Sequence, residues 1–183
     1  MFLGSGFIEL EGVWKESKKQ VVVINVYSPY ELGNNRKLWE DILDKKKSTM
    51  MENWCIIGDF NYIRRMVDRV GGGAIGENDG MGGLREFSKF IDDMEAECLP
   101  MIGRRYTWYK PNALSRSRID RVMISKEWLD CWPNSAQYIL ERDFSNHCPL
   151  WVKSSNVNWG PKPFSNLDCW FLDKNFVGFV KEE

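Results

Sequence analysis

Residues 7–11 alternate in polarity, with Phe7, Glu9 and Glu11 set against Ile8 and Leu10, which predicts a half-buried strand. Gly12 and the polar stretch Lys15–Lys19 predict a hairpin turn. The run from Val21 to Tyr27 is β-branched and nearly all apolar, as expected of a strand covered on both faces, and Ser28-Pro29 ends it. Between Arg36 and Lys47 the apolar residues Leu38, Trp39, Ile42 and Leu43 recur at helical spacing, with Lys45-Lys46-Lys47 suited to a helix C-terminus. Trp54 to Ile57 predicts a second central strand, stopped by Gly58-Asp59.

Met66 to Gly83 is rich in Gly and charge and predicts a long surface loop. Leu84 to Glu97 predicts an amphipathic helix with Leu84, Phe87, Phe90, Ile91 and Met94 on one face. Short strands follow at Tyr106–Tyr109, Ile119–Ile124, Gln137–Leu140 and Leu150–Val152, with a short helix at Lys126–Cys131. Beyond them, Trp159-Gly160-Pro161-Lys162-Pro163-Phe164 predicts a linker, and Asp173–Glu182 a last helix. Strands alternating with amphipathic helices define a mixed α/β chain, although their order alone does not fix the topology. The expected organisation is one domain over residues 1–156 and a linker with a short helix over 157–183.

Composition narrows this picture. Net charge is −1, which argues against tight non-specific DNA binding but not against a nuclease, whose site needs carboxylates to hold cations. The five cysteines are scattered and form no CxxC pair, so zinc and a disulfide framework are disfavoured. Reduced thiols in a cytoplasmic or nuclear, non-secreted protein fit better. No apolar run approaches the ~20 residues a membrane helix needs, and the first residues lack the charged and apolar regions of a signal peptide. Nine Trp residues fit either a filled core or stacking surfaces.

Three segments carry candidate chemistry. Gly58-Asp59-Phe60-Asn61 places an acid and an amide at a strand's C-terminal end, where α/β proteins put ligand sites, although the same residues are the commonest turn formers. Ser115 to Val122 sets Arg116, Arg118 and Arg121 around Asp120. It fits either a solvated edge strand or an Arg facing a phosphate beside an Asp that orients a base. Ser145-Asn146-His147-Cys148-Pro149-Leu150 holds His147, the sole histidine, which any His-dependent acid–base mechanism must use. Gly71 to Gly76 lacks the GxxxxGK[ST] pattern and is rejected as a phosphate loop. Trp108, Trp128, Trp132, Trp151 and Trp170 are candidates for base stacking, with core packing the default for most.

The order of these segments is more specific than any one of them. Val26-Tyr27-Ser28-Pro29, Gly58-Asp59-Phe60-Asn61, Tyr106-Thr107-Trp108, Ser117-Arg118-Ile119-Asp120 and Ser145 to Leu150 together resemble the endonuclease/exonuclease/phosphatase family. The tail from Trp159 to Phe164 looks more narrowly like the endonuclease of plant LINE-type retroelement polyproteins, where a reverse transcriptase would follow. The resemblance implies a four-layered α/β/β/α sandwich of the deoxyribonuclease/apurinic endonuclease type, here lacking its first strands. It also implies Mg²⁺- (or Mn²⁺-) dependent hydrolysis of a phosphodiester, with DNA as partner and no small-molecule cofactor. Asp59 would then orient or deprotonate the attacking water, and Asn61 would contact the phosphate or hold that carboxylate. His147 would face the scissile phosphate, Asp120 would fix its tautomer, and Tyr27 would touch a phosphate oxygen. Arg118 and Trp108 would bind substrate.

Two departures from the family pattern weaken the expected activity. The family's early Asn and metal-binding Glu have no equivalent here, since Glu9 and Glu11 fall on a later strand. Asn146 also stands where the family has Asp, so a position near the metal is degenerate and weak cation affinity follows. The missing strands should also leave an open sheet edge and an uncovered core face. Three readings follow: an impaired nuclease, a non-catalytic retroelement remnant that at most binds nucleic acid or a partner, and a related phosphoesterase acting on a phospholipid or inositol phosphate. The LINE-like tail argues against the third.

Overall fold

The computed structural model describes residues 2–71, 81–111 and 114–154. In chain order its elements are β1 (Phe2–Gly4), β2 (Phe7–Val13), β3 (Gln20–Tyr27), α1 (Leu32–Ser48), β4 (Asn53–Asp59) and β5 (Arg69–Val70). Then come α2 (Met81–Asp93), β6 (Glu97–Cys98), β7 (Met101–Gly103), β8 (Trp108–Tyr109), β9 (Arg116–Ser117), β10 (Asp120–Ile124), α3 (Lys126–Cys131), β11 (Ser135–Ile139) and β12 (Leu150–Ser154). The linker and helix expected beyond residue 154 lie outside the described residues, as do most of the glycines from Gly71 to Gly76.

The large sheet has the order β1-β2-β3-β4-β10-β6. Its two apolar runs meet at the centre, where β3 and β4 pair in parallel with α1 as the crossover, as a parallel pair requires. One face of this sheet packs on α1 and α2: Val22, Ile24 and Ile56 meet Leu38, Trp39, Ile42, Phe87 and Phe90. Much of the aromatic content is spent here. Trp39 stacks on Phe90 with ring centroids 5.6 Å apart, and Phe60 lies 5.3 Å from Phe87. The other face carries Val21, Cys55, Val122 and Ile124 against Trp128 and the inward residues Leu150 and Val152 of a second sheet, β12-β11-β7. The helical layer, the large sheet and the second sheet form a mixed α/β sandwich. A small third sheet, β5-β9-β8, sits beside the start of β10.

Several expectations need correction. In β2 the core-facing residues are Phe7 and Glu9, while Ile8 and Leu10 are 43% and 49% exposed. Glu9 stays buried because Lys45 of α1 approaches it at 3.7 Å, and burial still pushes its carboxyl above the usual range. Residues 66–71 are not plain loop: Met66–Asp68 forms a 3-10 turn and Arg69–Val70 forms β5. The helix predicted for 84–97 spans Met81–Asp93 instead. Glu95 takes a left-handed φ of 48° after it, which turns the chain so that Glu97 and Cys98 pair with Ile124 and Met123. The segment around Arg116 is no solvated edge: Ser115, Ser117, Asp120 and Arg121 are all buried, because Arg121 meets Asp68 at 2.7 Å. Of the Trp residues seen as stacking candidates, Trp128 and Trp132 pack against each other, Trp108 is half-buried, and Trp170 lies outside the described residues. Trp128 is buried against Trp132 at 4.6 Å, whereas Trp151 is 54% exposed.

Candidate active site

β4 and β10 are antiparallel neighbours in a register that sets Asp59 directly opposite Asp120. Directly opposed residues in a sheet project to the same face, so two carboxylates are brought together at one rim. Gly58 makes the approach possible. Its φ is +145°, and a Cβ there would lie 2.0 Å from the Val26 carbonyl oxygen on β3. Only glycine fits such a position.

His147 completes the group. Its Nδ1 lies 3.0 and 3.1 Å from the two Asp120 carboxylate oxygens, and its Nε2 lies 3.9 Å from Asp59 Oδ2. All three ligating groups fall within 4.8 Å of one another, and both aspartates are buried. Burial lifts the Asp59 carboxyl to about 6, opposed by the Asn61 N–H and reinforced by the nearby Asp120. His147 is shifted upward, first by its hydrogen bond to Asp120, with burial acting against it. The site therefore holds a carboxylate that ionises reluctantly beside an imidazole that protonates readily.

The other sequence-predicted residues take distinct places. Asn61 sits at φ 56°, donates its backbone N–H to Asp59 Oδ1 at 2.9 Å, and donates its side-chain amide to the Ser28 carbonyl at 2.6 Å. It thus holds the carboxylate through its backbone and anchors the β3 end through its side chain. Tyr27 lies opposite Asp59 in the β3–β4 register and is 72% exposed, so its ring stands in solvent beside the rim. Trp108 is half-buried and its backbone bridges to His147. Asn146 is exposed, and its carbonyl accepts the Tyr109 N–H at 2.9 Å. Arg118 lines a neighbouring cleft with Arg64 and Arg65, and burial followed by the adjacent Arg121 lowers its affinity for a proton.

Thr107 was not singled out from the sequence. It is fully buried, and its Oγ1 accepts the backbone N–H groups of Ile119 and Asp120 at 3.1 and 3.0 Å. Its carbonyl accepts the Cys148 N–H at 2.7 Å. One residue therefore fastens both partners of the Asp120–His147 pair to the start of β8. The only sequence signal was its place inside Tyr106-Thr107-Trp108.

No family model matches the sequence, and no curated protein matches it. Solved structures do match. The 3′ phosphatase NExo from Neisseria, bound to product DNA hairpin, is 19% identical over 80% of this chain and 64% of its own, with a TM-score of 0.57. The endonuclease domain of TRAS1, a telomere-specific non-LTR retrotransposon, is 11% identical over 83% of this chain and 64% of its own, at 0.56. The AP endonuclease LMAP from Leishmania major is 14% identical over 79% of this chain and 53% of its own, at 0.57. The chain spans between half and two thirds of each of these. The architecture is the mixed α/β fold of endonuclease/exonuclease/phosphatase proteins. Among the described residues no helix is long and apolar enough to cross a membrane.

Proposed function

We propose that the chain carries the site of a divalent-metal-dependent phosphodiester hydrolase acting on DNA, from the LINE-type retroelement branch of the fold, and that the site is impaired. The observation that carries the reading is the Asp59–His147–Asp120 group at the rim of β4 and β10. Asp120 accepts from Nδ1 and fixes the imidazole, leaving Nε2 for a phosphate oxygen. A protonated His147 donates to that oxygen and stabilises the charge that develops on it. Asp59, once ionised, orients the attacking water and accepts its proton. The exposed Tyr27 phenol and Trp108 flank the rim as substrate contacts.

The donor set fits a hard cation in part. Asp59 is a buried carboxylate whose ionisation a cation would favour, while Asp120 is engaged through both oxygens by His147. Asp59 would hold Mg²⁺ or Mn²⁺, with the exposed amide of Asn146 on the segment beside it. The ion would neutralise the phosphate and the leaving oxygen. One available carboxylate supports weak binding. It also favours a second reading, a retroelement remnant that at most binds nucleic acid. A cytoplasmic or nuclear setting fits either.

Plasmid nicking by purified protein, with Mg²⁺ and with chelator, tests the proposal beside Asn146→Asp and His147→Ala. Metal-dependent nicking that rises in Asn146→Asp and vanishes in His147→Ala is expected. Absence of nicking from folded wild type and Asn146→Asp alike sinks the hydrolase reading and leaves the remnant.

A further inference from the structure

A second polar feature lies on the far side of β10 from Asp59. The loop after Asn61 and the outer edge of the large sheet enclose a cleft of about 610 Å³, walled by Arg64, Arg65 and Arg118 against Glu97 and Cys98. The walls are fixed. Asp68 accepts the Arg65 backbone N–H at 3.0 Å and the Arg121 guanidinium at 2.7 Å, and its carbonyl accepts the Arg118 N–H at 2.7 Å. These bonds lock the loop onto β10.

The cleft carries positive charge that its own acids leave largely unmatched. Among the described residues the buried Nε of Arg118 has no hydrogen-bond partner, and Arg118 is flanked by Arg121 and Arg65. The carboxylate among them, Asp68, is already engaged by Arg121 and the Arg65 backbone. Among the described residues Arg64 donates to the Cys98 thiol at 3.7 Å and approaches the Asp92 carboxylate at 3.7 Å. A thiol is a weak acceptor, and Asp92 is 72% exposed. Glu97 on the rim is exposed. A buried guanidinium donor without an acceptor is costly, and the fork of a guanidinium matches two oxygens of one phosphate.

The position is as informative as the charge. Arg118 precedes Asp120 by two residues and Arg64 follows Asn61 by three, so both walls grow from segments that build the reactive group. The cleft borders β6, on the side of β10 away from β4. Cys98 pairs with Met123, three residues along β10 from Asp120, so the β6 wall lies two strand spacings across and three residues along from Asp59, roughly 14 Å away.

We infer that this cleft is a subsite for a backbone phosphate of the nucleic-acid strand whose reacting linkage lies at Asp59 and His147. The inference rests on the function proposed above for its placement, but its test does not require cleavage. Recognition is by charge and geometry, so the subsite fixes where a strand lies without reading its sequence. It also gives a chain of net charge −1 a local foothold on a polyanion.

The test measures fluorescence anisotropy of a labelled single-stranded oligonucleotide and its duplex in chelator, across a range of salt. Wild type is compared with Arg64→Ala/Arg65→Ala, Arg118→Lys and, as a distant basic control, Lys153→Ala. Circular dichroism melting confirms that each is folded. The double variant is expected to bind at least tenfold more weakly, with the slope of log affinity on log salt reduced by about 0.7–0.9 for each phosphate no longer neutralised. Arg118→Lys is a milder version of the same loss, because an ammonium cannot fork. Lys153→Ala should bind as wild type.

An unchanged slope in the double variant, or an equal loss in Lys153→Ala, overturns the subsite. Calorimetry with inorganic phosphate separates the sources of the anion. Phosphate binding that the arginine changes abolish, with oligonucleotide binding intact, assigns the cleft to a small anion and overturns the strand subsite. If wild type fails to nick DNA yet loses oligonucleotide affinity on arginine substitution, the subsite stands and the hydrolase reading fails. Nicking with arginine-independent binding gives the reverse.

Discussion

The hydroxyl of Thr107 accepts the backbone N–H of Asp120 at 3.0 Å, at the residue where β10 begins. The same oxygen receives the Ile119 N–H, and the Thr107 carbonyl receives that of Cys148, next to His147. The separation of the Asp120 carboxylate and the imidazole is thus set from behind by one buried residue. Thr107→Val keeps the shape and strands two buried donors. Each costs about 1–3 kcal/mol, so urea unfolding should show a loss of about 2–6 kcal/mol, with Thr107→Ser close to wild type. A loss of less than about 0.5 kcal/mol, within the range of an ordinary surface change, would show that the strand end holds without the hydroxyl.

His147 is the sole histidine, so its imidazole signal can be followed by NMR without ambiguity. The Asp120 hydrogen bond is the largest cause of its upward shift. Asp120→Asn keeps an acceptor and removes the charge, so the His147 titration should move to lower pH. Any metal-dependent nicking should fall at least tenfold, because the imidazolium donor is less populated near neutrality. A titration that stays where the wild type has it would detach Asp120 from this role.

The grouping of Asp59, Asp120 and His147 in a candidate site was legible because these residues sit in short segments with distinctive neighbours. Gly58-Asp59-Phe60-Asn61 follows an apolar run that reads as a central strand, which puts its acid at a rim, although the same residues also fit a plain turn. His147 was forced by being alone. What remained hidden depended on pairing across the chain. Nothing near Thr107 in sequence announces that its hydroxyl will meet Asp120, thirteen residues on. The Arg121–Asp68 ion pair joins residues 53 apart and turns an expected solvated strand into a buried one. In β2, alternation gave the strand but not the buried face, because Lys45 of a distant helix meets Glu9. The strands β6 and β7 have two and three residues, too short for a period to show.

The Asp59 carboxyl should make the metal-free protein less stable as pH rises. Its folded value of about 6 lies above the ordinary 3.8, so the native state holds an extra proton between those limits. Stability falls wherever the native state binds more protons than the unfolded one. The loss therefore develops from about pH 4 to 6 and is complete above. At about 1.4 kcal/mol per unit, it amounts to about 2–3 kcal/mol. His147, also raised, adds stability below its ordinary 6.5 that is lost as pH climbs through its folded value. Asp59→Asn should match wild type near pH 3.5 and exceed it by about 2 kcal/mol at pH 7.5 in denaturant melts without metal. Equal stability at pH 7.5 would mean the carboxylate is solvated well enough to ionise freely.

Gly58 puts the link between backbone and site to its severest test. At φ +145° a side chain is strained in itself. The space is closed as well, since the atom a Cβ would strike at 2.0 Å is the Val26 carbonyl oxygen, part of the β3–β4 pairing. A flexible side chain can swing aside, but a backbone carbonyl in the middle of a six-stranded sheet moves only with its strand. Gly58→Ala should therefore cost at least about 3 kcal/mol, from strain and displaced pairing together. The displacement falls next to Asp59, so the same change should move the carboxylate away from His147 and lower metal affinity in any molecules that fold. Calorimetric melting with and without Mg²⁺ reads both effects. A Gly58→Ala protein that melts within about 2 °C of wild type and keeps the same metal-induced shift would show that β3 yields here, and that the rim does not depend on this glycine.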